Sequence, residues 1–326
     1  MRTFPPLMTR HFTGIILVFC LLPGLAAAGP LRDLLKTRHG TGIAGETDNR
    51  DGIATDADLP AGVRRQQDIA YGSDPRQRMD VYLPREARGA PVILMVHGGA
   101  WRLGDKAMPR VVNNKVARWV PRGFILVSAN YRLLPGTAPL EQAADIARAL
   151  AKTQSLAPGW GGDPGKVILM GHSAGAHLVA LLSASPALAR QQGARPWLGS
   201  VALDSAALDV VQIMQRRHPR FYDAAFGKDP DYWQATSPRH QLTNIAPPLL
   251  AVCSSQRDDS CPQARQFMAQ AATLGVQVRM LEQDLSHQAI NEELGRPGAY
   301  TDAVEAYMAS LNDTLPALQG AAPTAP

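Results

Sequence analysis

The pentapeptide Gly171-His172-Ser173-Ala174-Gly175 carries the strongest chemical signal in the sequence. A serine hydroxyl is a weak nucleophile until a base takes its proton and its oxygen is held clear of the backbone. The G-x-S-x-G spacing meets the second need. It puts the serine on a sharp strand-to-helix turn, where small residues at 171 and 175 let neighbouring backbone approach and Oγ projects from the strand end. The helix that follows aims its positive N-terminal end at charge developing on a carbonyl oxygen. The flanks fit this context: residues 167–170 are a short apolar run, and residues 174–182 have helical character.

A second segment, His97-Gly98-Gly99-Ala100-Trp101, follows the apolar run 92–96. Successive glycines let backbone N–H groups turn toward one point, as an oxyanion hole requires. The N–H groups of Gly99 and Ala100, with that of Ala174 after the nucleophile, are the expected donors. His97 reads as a residue that orients this loop. Trp101 reads either as a wall of the acyl pocket or as packing.

A serine nucleophile also needs a base, and the base an acid to orient it, in the chain order Ser, acid, His. Downstream of Ser173 lie His177, His218, His240 and His287. His177 falls in the helix behind the turn and reads as a buried, hydrogen-bonded core residue. His218 and His240 fall in a long connecting segment. His287 alone follows the last strand candidate, so it is the expected base. The acid is expected after the strand 249–252, where Asp258 and Asp259 both qualify; Asp204, ending the strand before, is the less favoured choice.

The elements needed to position these residues are present. Apolar runs at 92–96, 124–128, 167–170, 201–203 and 249–252, with an alternating run at 78–83 and a further strand candidate at 276–281, are interleaved with helical stretches at 140–150, 174–182, 263–274 and 301–311. Short, fully apolar strands between helices predict a doubly wound, mostly parallel α/β sheet, with ligands at the carboxyl ends of its strands. About forty residues separate strands 201–203 and 249–252. That is too long for a plain connection, and it predicts a lid-like insertion over about 205–246.

Composition bounds the rest. A chain of 326 residues, 45% hydrophobic and 19% charged, is globular and long enough for a sizeable core. Arg2 and Arg10, the apolar run 15–22 and Ala26-Ala27-Ala28 pattern residues 1–28 as a cleavable secretory signal, implying a secreted or periplasmic protein. Its loss lowers the formal charge from +5 to about +3, and no basic run carries interleaved aromatics, so nucleic acid is not an expected partner. Residues 29–60 read as a flexible leader, 61–315 as the folded domain and 316–326 as a disordered tail. No phosphate-binding loop, dinucleotide fingerprint or metal-ligand spacing is present, so no cofactor or metal is expected. No membrane span is expected after signal cleavage.

The set of motifs resembles the α/β-hydrolase esterases related to hormone-sensitive lipase, in the bacterial group that includes kynurenine-formamidase-like enzymes. The resemblance runs over roughly residues 65–312. It rests on Tyr71-Gly72, Met79 to Pro84, His97 to Trp101, Asn130 to Leu133, Gly162-Asp163-Pro164, Gly171 to His177, Ser237-Pro238, and Asp258 to Pro262 with His287. It implies the α/β-hydrolase fold and hydrolysis of small or aryl carboxylic esters through an acyl-enzyme. Cleavage of an N-formyl arylamide, or a non-catalytic binding role on the same fold, are the alternatives. It also selects Asp258 as the acid, since the family's acid lies four residues before a proline matching Pro262. Two departures stand out. Ala100 replaces a third glycine, and Cys253-Ser254 replaces a His-Gly pair. The second leaves two readings of Cys253 and Cys261: a disulfide fixing the acid loop in an oxidising compartment, or two separate thiols.

Overall fold

The computed structural model describes residues 52–313 and residue 315. The expected signal (1–28), most of the expected leader (29–60) and the expected tail (316–326) lie outside the described residues. The described residues are built on an eight-stranded sheet in the order β1-β2-β4-β3-β5-β6-β7-β8. Its strands are β1 (Arg64–Ala70), β2 (Arg78–Leu83), β3 (Ala90–Val96), β4 (Ile125–Ala129), β5 (Gly162–His172), β6 (Gly199–Leu203), β7 (Leu249–Ser254) and β8 (Val278–Gln283). From β4 to β8 all neighbours pair parallel, and β2 runs against the rest. This is the α/β-hydrolase fold.

Side-chain parity explains the buried sheet. Val92, Leu94 and Val96 of β3 join one apolar core with Val127 and Leu169, while Ile93 and Met95 join the other with Leu126 and Ile168. Each fully buried aliphatic side chain contributes roughly 1.5–3 kcal/mol. A one-residue slip would exchange the two faces, so the register is firmly set. One core is closed by α2 (Pro139–Leu156) and α3 (Ala174–Ala184), the other by α1 (Pro109–Trp119) and, late in the chain, a helix spanning Ala299–Ala309.

Strand β1 carries the sequence Arg-Arg-Gln-Gln-Asp-Ile-Ala and is largely exposed. It has no apolar pattern because an edge strand needs none. Helix α4 (Pro186–Gln191) precedes β6, and between β6 and β7 the chain forms four short helices: α5 (Val210–Met214), α6 (Arg220–Phe226), α7 (Pro230–Ala235) and α8 (Pro238–Gln241). Phe221, Tyr222 and Phe226 of α6 pack on Trp101, with ring centroids 6.5, 6.0 and 4.9 Å away. The last elements among the described residues are α9 (Ser260–Thr273), β8, α10 (His287–Glu293) and α11 (Ala299–Ala309). No described helix is long and apolar enough to cross a membrane.

Candidate active site

Ser173, Asp204 and His287 follow β5, β6 and the β8 connection, all at the carboxyl edge of the sheet. Ser173 has φ 55° and ψ −118°, a conformation that L residues rarely adopt. Two close approaches hold it there. A Cβ at Gly175 would lie 2.4 Å from the carbonyl oxygens of both Val96 and His97, and one at Gly171 would lie 2.5 Å from that of Gly175. The Ser173 N–H donates to Leu203 O (2.9 Å), which ties the turn to the end of β6.

His287 opens α10. The N-cap Ser286 accepts the Ala289 N–H, and His172 Nε2 donates to the His287 carbonyl (2.9 Å). The helix is further anchored on α1, where buried Lys115 donates to Asn291 O (2.7 Å) and Oδ1 (3.0 Å). So placed, His287 Nε2 lies 2.9 Å from Ser173 Oγ, and Nδ1 lies 2.5 Å from Asp204 Oδ2. The 2.5 Å contact with a carboxylate requires the proton on Nδ1. Nε2 is then the acceptor for the serine proton.

The acid is therefore Asp204, and the expectation of Asp258 is corrected. Asp204 is fully buried, and each oxygen accepts two hydrogen bonds. Oδ1 takes the Ser254 N–H (2.7 Å) and the Ser260 hydroxyl; Oδ2 takes His287 Nδ1–H and Arg257 Nη1–H (2.9 Å). Burial by itself would raise this carboxyl. The His287 hydrogen bond and the Arg257 charge outweigh it and hold the acid well below the usual carboxylate range. Asp258 lies on the exposed turn after β7 and faces an outer cavity beside Arg216, Arg217 and His218. Asp259 is also exposed and pairs with Arg257 Nη2 (3.2 Å). The inward-facing residue of this turn is Arg257, which fills the space an acid after β7 would need.

Cys253 and Cys261 are joined by a disulfide. It closes the segment that presents Ser254, Arg257 and Ser260 to Asp204. Among the described residues, the one grouping of candidate metal ligands is Cys253, Cys261 and Glu282, and the disulfide consumes both thiols. Replacing both cysteines with alanine is expected to lower stability by about 2–3 kcal/mol, the loop-closure entropy of so short a segment. A denaturant titration reads this as a lower midpoint; an unchanged midpoint would refute it.

Ala100, Trp101, Ser173 and Ala174 line one narrow pocket with Ala206, Phe221, Tyr222 and Arg257. Gly99, at φ 119°, borders a separate small cavity behind the loop with His97 and His172. Ala100 and Trp101 also have positive φ, 50° and 60°, so the loop turns without its third glycine. His97 stacks on Tyr131 (4.5 Å), and its Nδ1 meets the Gly98 carbonyl (2.7 Å), an orienting role. Trp101 both lines the pocket and packs. Its Nε1–H donates to His177 Nδ1 (3.1 Å), while His177 Nε2 donates to Thr236 O (2.8 Å). Burial pushes the His177 imidazolium down to about 4, so this histidine stays neutral and structural.

Sequence reasoning gave no role to Arg257, Ser254, Ser260 or His172. A usable signal existed for Asp204, which directly ends β6 as Ser173 directly follows β5. The model of the BD-FAE family matches residues 79–270. The chain belongs to the BD-FAE family. It is similar to esterase LipQ of Mycobacterium tuberculosis, at 31% identity over 268 residues covering 74% of this chain and 62% of that protein. It is also similar to a probable isoprenylcysteine alpha-carbonyl methylesterase of Oryza sativa subsp. japonica. There the identity is 35% over 113 residues, 34% of this chain and 27% of that protein. The BD-FAE chain thus spans from about a quarter to about three-fifths of the length of these curated relatives. Among solved structures, esterase B from Lactobacillus rhamnosis has the same fold. Its TM-score is 0.61 at 19% identity, covering 86% of this chain and 92% of that one.

Proposed function

We propose that this BD-FAE chain is a serine carboxylesterase that hydrolyses small or aryl carboxylic esters outside the cytoplasm. The observation that carries the reading is the connected line Ser173 Oγ, His287 Nε2, His287 Nδ1, Asp204 Oδ2, with links of 2.9 and 2.5 Å at the mouth of an aromatic-walled pocket. In this reading His287 takes the Ser173 proton as Oγ attacks the ester carbonyl. Asp204 stabilises the imidazolium that forms, and the N–H groups of Ala100 and Ala174, with Gly99 supporting the loop, face the oxyanion. His287 returns the proton to the leaving alcohol. Water then repeats the sequence on the acyl-enzyme.

Trp101, Phe221 and Tyr222 give the narrow pocket aromatic walls, and Ala206 gives it a small one. That favours short acyl or single-ring groups over long chains. The LipQ and methylesterase names of the relatives support an ester over an amide. Export is supported by the apolar run 15–22 before Ala26-Ala27-Ala28, and by a disulfide, which persists in oxidising compartments.

The test is hydrolysis of p-nitrophenyl esters from acetyl to lauroyl by purified protein, beside an N-formyl anilide. Turnover is expected to peak at the shortest acyl groups and to vanish after labelling with a fluorophosphonate. Cleavage of the formanilide by a folded protein that leaves every ester intact would overturn the esterase reading.

A further inference from the structure

Arg257 stands where no triad needs a cation. Its side chain is 8% exposed, and Nη1 lies 2.9 Å from Asp204 Oδ2, 3.3 Å from Asp204 O and 2.7 Å from His287 Nδ1. With Nδ1 carrying the proton given to Asp204, the last contact sets one N–H donor against another. Nothing attractive holds those two nitrogens together; the shared Asp204 oxygen brings both to the same place. Once His287 takes a second proton the contact becomes two touching cations.

We propose that Arg257 is a positioning residue that holds His287 neutral at rest and so extends the acid side of the reaction below the pH at which an unassisted Asp–His pair would carry a second proton. The inference rests on the serine-hydrolase reading above. Two charges act on the imidazolium with opposite sign. Asp204 favours it, and Arg257 opposes it both directly and by sharing the Asp204 oxygen. At such distances an unscreened unit charge moves a titration by about one pH unit or more. A base whose Nε2 stays unprotonated at lower pH suits an enzyme working outside the buffered cytoplasm.

The other groups facing His287 do not share this geometry. From β5, the His172 ring lies 4.6 Å away and donates to the His287 carbonyl. From α6, Tyr222 lies beside Arg257 in the pocket. From α11, the Tyr300 hydroxyl donates to Ile290 O (2.9 Å), and from α1 Lys115 reaches Asn291, three and four residues into the helix that His287 opens. On the connection from β8, Asp284 accepts from Gln256. Asp259 lies on the far side of the guanidinium and partly offsets its charge.

The experiment is the rate of Ser173 phosphonylation by a fluorophosphonate as a function of pH, which reads the protonation of His287 without needing the natural ester. In Arg257→Met the acid midpoint is expected to rise by about one pH unit. Arg257→Lys should restore it most of the way. Asp259→Asn, at an exposed position, should move it slightly the other way by unmasking the guanidinium. Arg257→Gln serves if the methionine variant melts below the assay temperature. A purely structural arginine predicts a slower reaction at every pH with an unmoved midpoint. That result, or a midpoint moving the same way in Arg257→Met and Asp259→Asn, overturns the inference while leaving the serine hydrolase intact. Absence of Ser173 labelling in the wild-type chain at every pH overturns both.

Discussion

Asp204→Asn is expected to lower kcat by about 10⁴-fold, while Asp258→Asn leaves kcat unchanged. The asparagine keeps the volume and loses the function. Its carboxamide would have to accept from His287, Arg257, Ser254 and Ser260 with one oxygen, where the carboxylate uses two. If the amide oxygen stays on Ser254 and Ser260, the amide N–H₂ faces Nδ1 and favours the tautomer with its proton on Nε2. That tautomer donates to Ser173 instead of accepting from it. The loss should therefore fall on kcat, with KM little changed, since Asp204 is fully buried and reaches the substrate only through His287. A buried Arg257 robbed of its counter-charge also predicts a lower melting temperature for Asp204→Asn. Asp258 touches none of this, and its substitution tests the rival assignment directly. Steady-state kinetics on one short ester decides between them: a large loss in Asp258→Asn with a mild one in Asp204→Asn would reverse the assignment.

The same contrast marks how far the sequence could be read. Strands β3, β4, β6 and β7 announce themselves because both faces are buried, so nearly every residue in them is small or apolar, as is the second half of β5. Ser173 and His287 are legible because a local rule fixes each: the glycine-flanked turn for one, the last strand end for the other. The acid obeys no such local rule. The residues after β7 leave Asp258 and Asp259 both open, and only the family resemblance selects Asp258, four residues before Pro262; neither tells which way the turn faces. Here the Cys253–Cys261 disulfide and the Asp204 contacts turn Arg257 inward and leave Asp258 in solvent. The partners Asp204 and His287 are 83 residues apart, and their meeting depends on β6, β7 and β8 lying side by side. Strand β1 escaped notice for the opposite reason: an exposed edge pairs through its backbone and leaves its side chains unconstrained.

Ser173→Ala is expected to lower kcat by about 10⁶-fold, with His287→Ala and the double variant falling to nearly the same level. The equality is the informative part. If serine and histidine acted separately, their losses would multiply. If Oγ attacks only when Nε2 takes its proton across the 2.9 Å contact, removing either partner removes the whole step. The second substitution then has nothing left to subtract. What remains should still exceed the uncatalysed rate by about 10³–10⁴, the share of an oxyanion loop and pocket that neither change touches. Ala100 and Trp101 hold their positive φ values through backbone contacts such as Arg102 N–H to Gly99 O (2.9 Å) and Leu103 N–H to Gly99 O (2.9 Å), none of which involves Ser173 or His287. A double variant slower than either single one by a further factor of a thousand would show that His287 does work apart from activating Ser173. The linked triad would then have to give way to a water-activating histidine.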